Sequence, residues 1–153
     1  MSVSTQIQLS TPTQLLLYEK AYVKVTSHIV LSAHLNAAQS LFGGLLVQWV
    51  DECGAIFVME TLKTHQVVTK KISEVLYNEP AHLGDILEIC CRIQSVGHTS
   101  LTIECVTVVR PVEETEKLRV ILNCDLVFVK VDAQGRPCAH HFQLKDENVS
   151  KIG

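Results

Sequence analysis

The 153-residue chain has little charge (19%), few aromatics (5%, with a single Trp) and only four Pro. Its apolar stretches are interrupted by charge, so none reads as a membrane span. Thirteen Lys and Arg against sixteen Asp and Glu leave a net charge of −3, without the basic surplus that nucleic-acid binding needs. No Lys or Arg precedes Lys20, and the longest apolar stretch before it, Leu15 to Tyr18, is too short for the core of a secretory signal. A cytoplasmic location is the resulting expectation. The six cysteines contain no C-x-x-C pair, and four lie in runs rich in Val, Ile and Leu. They read as small hydrophobes in a reducing compartment. The G-x-S-x-G elbow, the H-E-x-x-H helix, the Walker loop and the G-x-G-x-x-G fingerprint are all missing. The seven histidines are scattered, and the adjacent His140-His141 lacks helix-face ligand spacing, so no metal is expected.

The chain is 47% apolar with a mean hydropathy of +0.23, which fits one domain that also has buried subunit contacts. Residues 1–17, rich in Ser, Thr and Gln, are expected to be loose or docked on a neighbour. The domain proper is expected over 18–145, with a frayed tail over 146–153. Lys20 to Leu31 is rich in β-branched residues and predicts a strand. Leu45 to Leu62 has no Pro and almost no turn residue, which predicts a helix, apolar around most of its circumference. Gln48, Asp51 and Glu52 form one polar patch on it. Further strands are predicted at Val67–Tyr77, where Lys70, Lys71 and Glu74 blur the alternation, around 87–94, around 101–105 and over Leu118–Val131. Pro80, Gly84-Asp85, Gly97-His98 and Asp132–Pro137 mark turns. The order predicts an α+β architecture: an antiparallel sheet around one long buried helix.

Three features carry chemistry. Gly43-Gly44 at the helix start leaves backbone N–H groups uncrowded, suited to an oxyanion, although an ordinary tight helix entry needs the same residues. Asp51 sits two turns into a helix built for a core, where an unpaired carboxylate is costly. Its alternatives are a structural pairing with Lys70 or Lys71, or a solvent-facing patch with Glu52. Asn36, in the loop before the glycines, is an ordinary loop residue taken alone. Together they suit acyl transfer to water: a carboxylate as base or nucleophile, amides for the oxyanion and a side-chain amide to orient water or carbonyl. A thioester fits such a site, because a thiolate leaves with little help from an acid.

The stretch Asn36-Ala37-Ala38-Gln39-Ser40-Leu41-Phe42-Gly43-Gly44, followed by Trp49-Val50-Asp51-Glu52-Cys53-Gly54-Ala55, resembles the hotdog-fold acyl-CoA thioesterases, in particular the YciA-like and brain acyl-CoA hydrolase branch. Val67-Val68-Thr69, Pro80, Gly84-Asp85, Val96 to Ser100 and the Asp132–Pro137 turn follow in the order of that family. The resemblance spans about residues 20–138. It implies five or six antiparallel strands wrapped around the helix, and a homodimer with two composite sites, assembled further into a trimer of dimers, a hexamer. Asp51 would activate water or attack the thioester. Asn36 of the partner subunit would position the substrate, and the amides around Gly43-Gly44 would hold the oxyanion. Phe42, Thr69, His98, Thr99 and Ser100 would contact acyl-CoA, and coenzyme A would be part of the substrate, with no separate cofactor.

Three departures stand out. Gln39 replaces a glycine of the pattern, which predicts a differently shaped loop. His98 stands where many relatives carry an arginine, which predicts weaker or pH-dependent nucleotide binding. Lys70-Lys71 breaks a run that is usually apolar. The expected activity is hydrolysis of acyl-CoA to the free acid and CoA. The rival within the fold is a non-catalytic acyl-CoA-binding module. A dehydratase would need an Asp/His pair that cannot be placed here, and a purely structural oligomer would leave Asp51 without a purpose.

Overall fold

The computed structural model describes residues 20–145; the expected loose segment 1–17 and the tail 146–153 lie outside them. Five strands and one long helix follow one another along the chain: β1 (Val23–Ile29), α1 (Gly43–Leu62), β2 (Val67–Tyr77), β3 (Ile86–Val96), β4 (Ser100–Arg110) and β5 (Arg119–Lys130). A short 3-10 turn, Ser32–His34, precedes α1. The strands form one sheet in the order β1-β3-β4-β5-β2, every pair antiparallel. β3 and β4 form a hairpin, but β2 and β3, consecutive in the chain, lie three places apart, because α1 delivers the chain to the far edge. A short turn between β2 and β3 therefore does not mean pairing.

Alternation builds the core. Leu87, Ile89 and Cys91 of β3, Leu101, Ile103 and Cys105 of β4, and Cys124, Leu126 and Phe128 of β5 point to one face and are almost completely buried. On α1, Leu46, Trp49, Val50, Cys53, Gly54 and Val58 are buried against them, at the 3- and 4-residue spacing of one helix face. Gly44, Gln48, Glu52, Ile56 and Glu60 form the exposed stripe, so within one chain the helix is covered on one side rather than on all sides. The helix packs tightly on the sheet at Gly54, where a Cβ would sit 3.1 Å from the Phe128 ring and 3.2 Å from Ile103. Lys63 ends the helix with φ 56°, its N–H returning to the Met59 carbonyl.

The six cysteines are all free thiols, five of them buried. Cys91 bridges Cys53 and Cys105 with sulfur separations of 3.8 and 3.0 Å. Burial raises the Cys90 thiol to about 11 and that of Cys124 to about 12, so both stay protonated and behave as small apolar groups.

The blurred alternation of β2 has a definite cause. Its register against β5 slips once between Thr69 and Lys71 and again between Ser73 and Leu76, one extra residue each time. These are β-bulges, and Glu74 at the second has φ 53°. Each bulge resets the two-residue period. Val67, Ile72 and Val75 consequently pack on the core, Thr69 and Tyr77 reach α1, and Lys70 and Lys71 stay exposed. Without the first bulge, Lys71 would replace Ile72 on the helix side.

Candidate active site

The entry to α1 is shaped by Asn36. Its Oδ1 accepts hydrogen bonds from the backbone N–H groups of Ala38 (2.9 Å) and Ser40 (3.2 Å), folding the loop into a tight turn. Its Nδ2 makes no hydrogen bond among the described residues. Gln39 in that turn has φ 60°, the left-handed region that favours glycine. The departure from the family pattern is thus met by a glutamine held in a glycine-type conformation. The loop is fastened on both sides: Phe42 N–H donates to the His34 carbonyl (2.9 Å) and Leu41 N–H to the Ala81 carbonyl (2.8 Å).

Phe42 is the N-cap and supplies no side-chain acceptor; the first helical bond runs from Leu46 N–H to Phe42 O (3.1 Å). The N–H groups of Gly43, Gly44 and Leu45 accordingly have no backbone or capping partner among the described residues. Both glycines border a cavity of about 600 Å³ between the Asn36–Gly44 loop and residues 77–81, with Leu46 and Ile121 also lining it. That size suits a small-molecule segment. Phe42 lines the same cavity and is 57% exposed. Side chains also approach both glycines closely. A Cβ on Gly44 would lie 2.8 Å from the Phe42 ring, and one on Gly43 would lie 3.2 Å from the ring of Tyr77.

Asp51 is half-buried on the β2 side of α1. The expected pairing with Lys70 or Lys71 is not made among the described residues; instead Thr69 Oγ1 donates to Asp51 Oδ1 at 2.7 Å, in an exposed setting next to the solvent-facing Glu52. Gln48 instead donates to Glu52 (3.1 Å) one step round the helix. No basic side chain forms an ion pair with Asp51 among the described residues, and its Oδ2 accepts no hydrogen bond there.

The structure thus brings Asn36, Phe42, Gly43 and Gly44 to one cavity and joins Asp51 to Thr69 elsewhere. Asp51 lies eight positions along the helix from Gly43, about 12 Å along the axis. His98 and Thr99 lie in the β3–β4 turn, and Ser100 opens β4, at the end of the sheet where β2 begins. Lys130 N–H donates to Thr99 O (2.9 Å), and the His140 ring bonds Ser100 O (2.9 Å). His98 itself is exposed. Among the described residues no group of three or more His, Cys, Asp or Glu is placed to hold a metal.

Two residues around the cavity escaped the sequence reading. Tyr77 Oη donates to the Gly43 carbonyl at 2.9 Å. Arg119 braces the opposite wall through Pro80 O (3.0 Å) and Asp85 (2.8 Å). A strand with intact alternation would have exposed Tyr77 as helix-facing, but the two bulges hide its parity. Arg119 stands at a strand start, where sequence carries no comparable signal.

Residues 38–120 match the thioesterase superfamily, more than half of the chain. The chain belongs to that superfamily. An uncharacterized acyl-CoA thioester hydrolase of Zymomonas mobilis is 31% identical over 110 residues, covering 72% of each chain. The acyl-CoA thioester hydrolase YciA of Escherichia coli is 30% identical over 118 residues, which cover 72% of this chain and 85% of YciA. Among solved structures, a hexameric thioesterase of Yersinia pestis superposes with a TM-score of 0.72 at 26% identity, covering 80% of this chain and 97% of the other. The five-stranded antiparallel sheet with its long helix is the hotdog fold, as in the hexameric hotdog thioesterase of Campylobacter jejuni (TM-score 0.70, 23% identity, 84% and 94% covered). No helix among the described residues of this thioesterase is long and apolar enough to cross a membrane.

Proposed function

We propose that the protein hydrolyses acyl-CoA thioesters to the free acid and CoA, at a site shared between two copies of the chain. The carrying observation is a carboxylate, Asp51, held by Thr69 and without an ion-pair partner among the described residues, in a thioesterase whose Gly43 and Gly44 amides, uncapped among those residues, lie beside a cavity of about 600 Å³. About 12 Å of helix between these groups is too long for one reacting carbonyl to touch both. A second copy closes the gap: Asp51 of one subunit works with Gly43, Gly44 and Asn36 of the partner subunit. Exposed Val68 and Leu76 on the edge strand β2 support such a contact. A hexamer, a trimer of dimers, is the assembly by analogy with the hexameric relative.

In this reading the acyl group enters the cavity and its carbonyl oxygen meets the free amides. Asp51 removes a proton from water as it attacks, or attacks directly and is released by water. The negative charge that develops on oxygen is held by the amides, and collapse expels the CoA thiolate. No metal or separate cofactor takes part. The free Asn36 Nδ2 is a donor for the carbonyl or the water. Thr69 holds the base, while His98, Thr99 and Ser100 contact the CoA portion. Six free thiols fit a cytoplasmic setting.

Thiol release from a panel of short, long and aryl acyl-CoAs tests the proposal. Release from at least one supports it. Saturable acyl-CoA binding without release would make the protein a binding module, and a stable monomer at micromolar concentration with full activity would remove the shared site.

A further inference from the structure

We propose that Tyr77 is a positioning residue for the oxyanion-binding amide of Gly44, an inference that rests on the hydrolase reading above. The second bulge of β2 sets the parity of the strand end, so that Tyr77 reaches back to the first turn of α1. Its hydroxyl donates to the Gly43 carbonyl at 2.9 Å, and its ring lies 3.2 Å from the place a Gly43 Cβ would take. The backbone just beyond it is anchored, with Asn78 N–H on Ile121 O (2.8 Å) and Asn78 Nδ2 on Asn123 (2.8 Å).

The Gly43 carbonyl and the Gly44 N–H are opposite ends of one planar peptide group. A donor on the oxygen therefore fixes the plane in which the N–H points. It also draws electron density toward the oxygen, which makes the N–H a stronger donor. The Gly43 carbonyl already stands at the start of the helical hydrogen-bond ladder, and Tyr77 adds a second donor where two consecutive glycines have no side chains to steady the first turn. The Gly44 N–H has no partner among the described residues, and Gly44 borders the cavity, so this is the amide that gains from being held. Burial keeps the phenol protonated to higher pH than an ordinary tyrosine, so the donor is present at neutral pH.

Tyr77→Phe tests this, because it keeps the ring and removes only the hydroxyl. Thiol release should show kcat lowered about tenfold with KM within about twofold of the parent, since the lost interaction matters mainly once charge reaches the oxygen. The amide resonance of Gly44 in a proton–nitrogen correlation spectrum should shift, while the unfolding midpoint stays near that of the parent. An unchanged kcat, a rise in KM alone, or an unmoved Gly44 resonance would each overturn the role of Tyr77 and leave the hydrolase reading standing. A parent protein that releases no thiol from any acyl-CoA would remove the hydrolase reading, and this inference with it.

Discussion

The hydroxyl of Thr69 and the carboxylate of Asp51 are joined across 2.7 Å, and this bond links the sheet edge to the middle of α1. Thr69 is the last residue before the first bulge of β2. It engages one carboxylate oxygen and leaves the other without a hydrogen-bond partner among the described residues. A carboxylate oriented in this way, with no ammonium or guanidinium paired to it among the described residues, is suited to take a proton or to attack.

Asp51→Asn should therefore lower kcat for acyl-CoA hydrolysis by about 100- to 10,000-fold, the range for removal of a general base. Asparagine is isosteric and can still accept from Thr69, so circular dichroism and the unfolding midpoint should stay near parental values. Hydrolysis at the parental rate would mean that another group performs the proton transfer.

Thr69→Val keeps the branched shape on a strand and removes only the hydroxyl. The carboxylate then loses its tether, and kcat should fall about tenfold, less than for loss of the carboxylate itself. Thr69→Ser should restore most of the rate. Equal rates for the Val and Ser variants would show that the hydroxyl has no part in holding Asp51.

The sequence pattern revealed the elements where local periodicity and packing agree. α1 was expected over Leu45–Leu62 and occupies Gly43–Leu62, and β2 has the expected bounds. Inward β3 and β4 residues followed simple alternation. Sheet order was not legible in the same way, because the edge position of β2 depends on where α1 delivers the chain. The partner of Asp51 was missed for a related reason: Lys70 and Lys71 drew attention by charge, but Thr69 shares the helix-facing parity of Val67 and the bulge after it keeps Lys71 off that face. Asn36, Gly43 and Gly44 were recognisable by type and order. The 12 Å of helix between Gly44's turn and Asp51 follows from residue count alone, yet only the single-chain cavity shows how far apart the two halves stand.

Gln39 stores backbone strain in the loop that carries Asn36. A non-glycine residue in the left-handed region costs roughly 1–2 kcal/mol, and glycine gives back part of that gain through its larger unfolded-state entropy. Gln39→Gly should stabilise the protein by about 0.5–1 kcal/mol net, read as a higher urea midpoint at unchanged slope. A lower midpoint would mean that the glutamine side chain makes a stabilising contact larger than its strain.

Gly54 sets the distance between helix and sheet. Gly54→Val would force branched carbons against Phe128 and Ile103, already 3.1 and 3.2 Å from a single Cβ, and α1 would have to lift. Overpacking of this kind costs about 1–3 kcal/mol, and the unfolding midpoint should fall accordingly. Because α1 carries Asp51 and Gly44, activity should fall with it. An unaltered midpoint would show that the core can yield here.

On the outer face of the sheet, Glu104 accepts from Arg92 Nε at 2.8 Å and from the Tyr22 hydroxyl. Burial works against its charge, but the hydrogen bonds from Tyr22 and Arg92 and the charge of Arg92 outweigh it, so the carboxyl is held below the ordinary glutamate value of 4.5. A depressed folded-state value means that this contribution to stability is complete above the unfolded-state value and is lost as pH falls through the folded-state one. Glu104→Gln should unfold at lower urea than the parent at neutral pH, and the gap should narrow progressively below pH 4.5 as the parent's own carboxyl is protonated. Midpoints measured from pH 7 down to 3 would reveal it. A gap of constant size across that range would show that the network stabilises through packing and neutral hydrogen bonds rather than through the charge of Glu104.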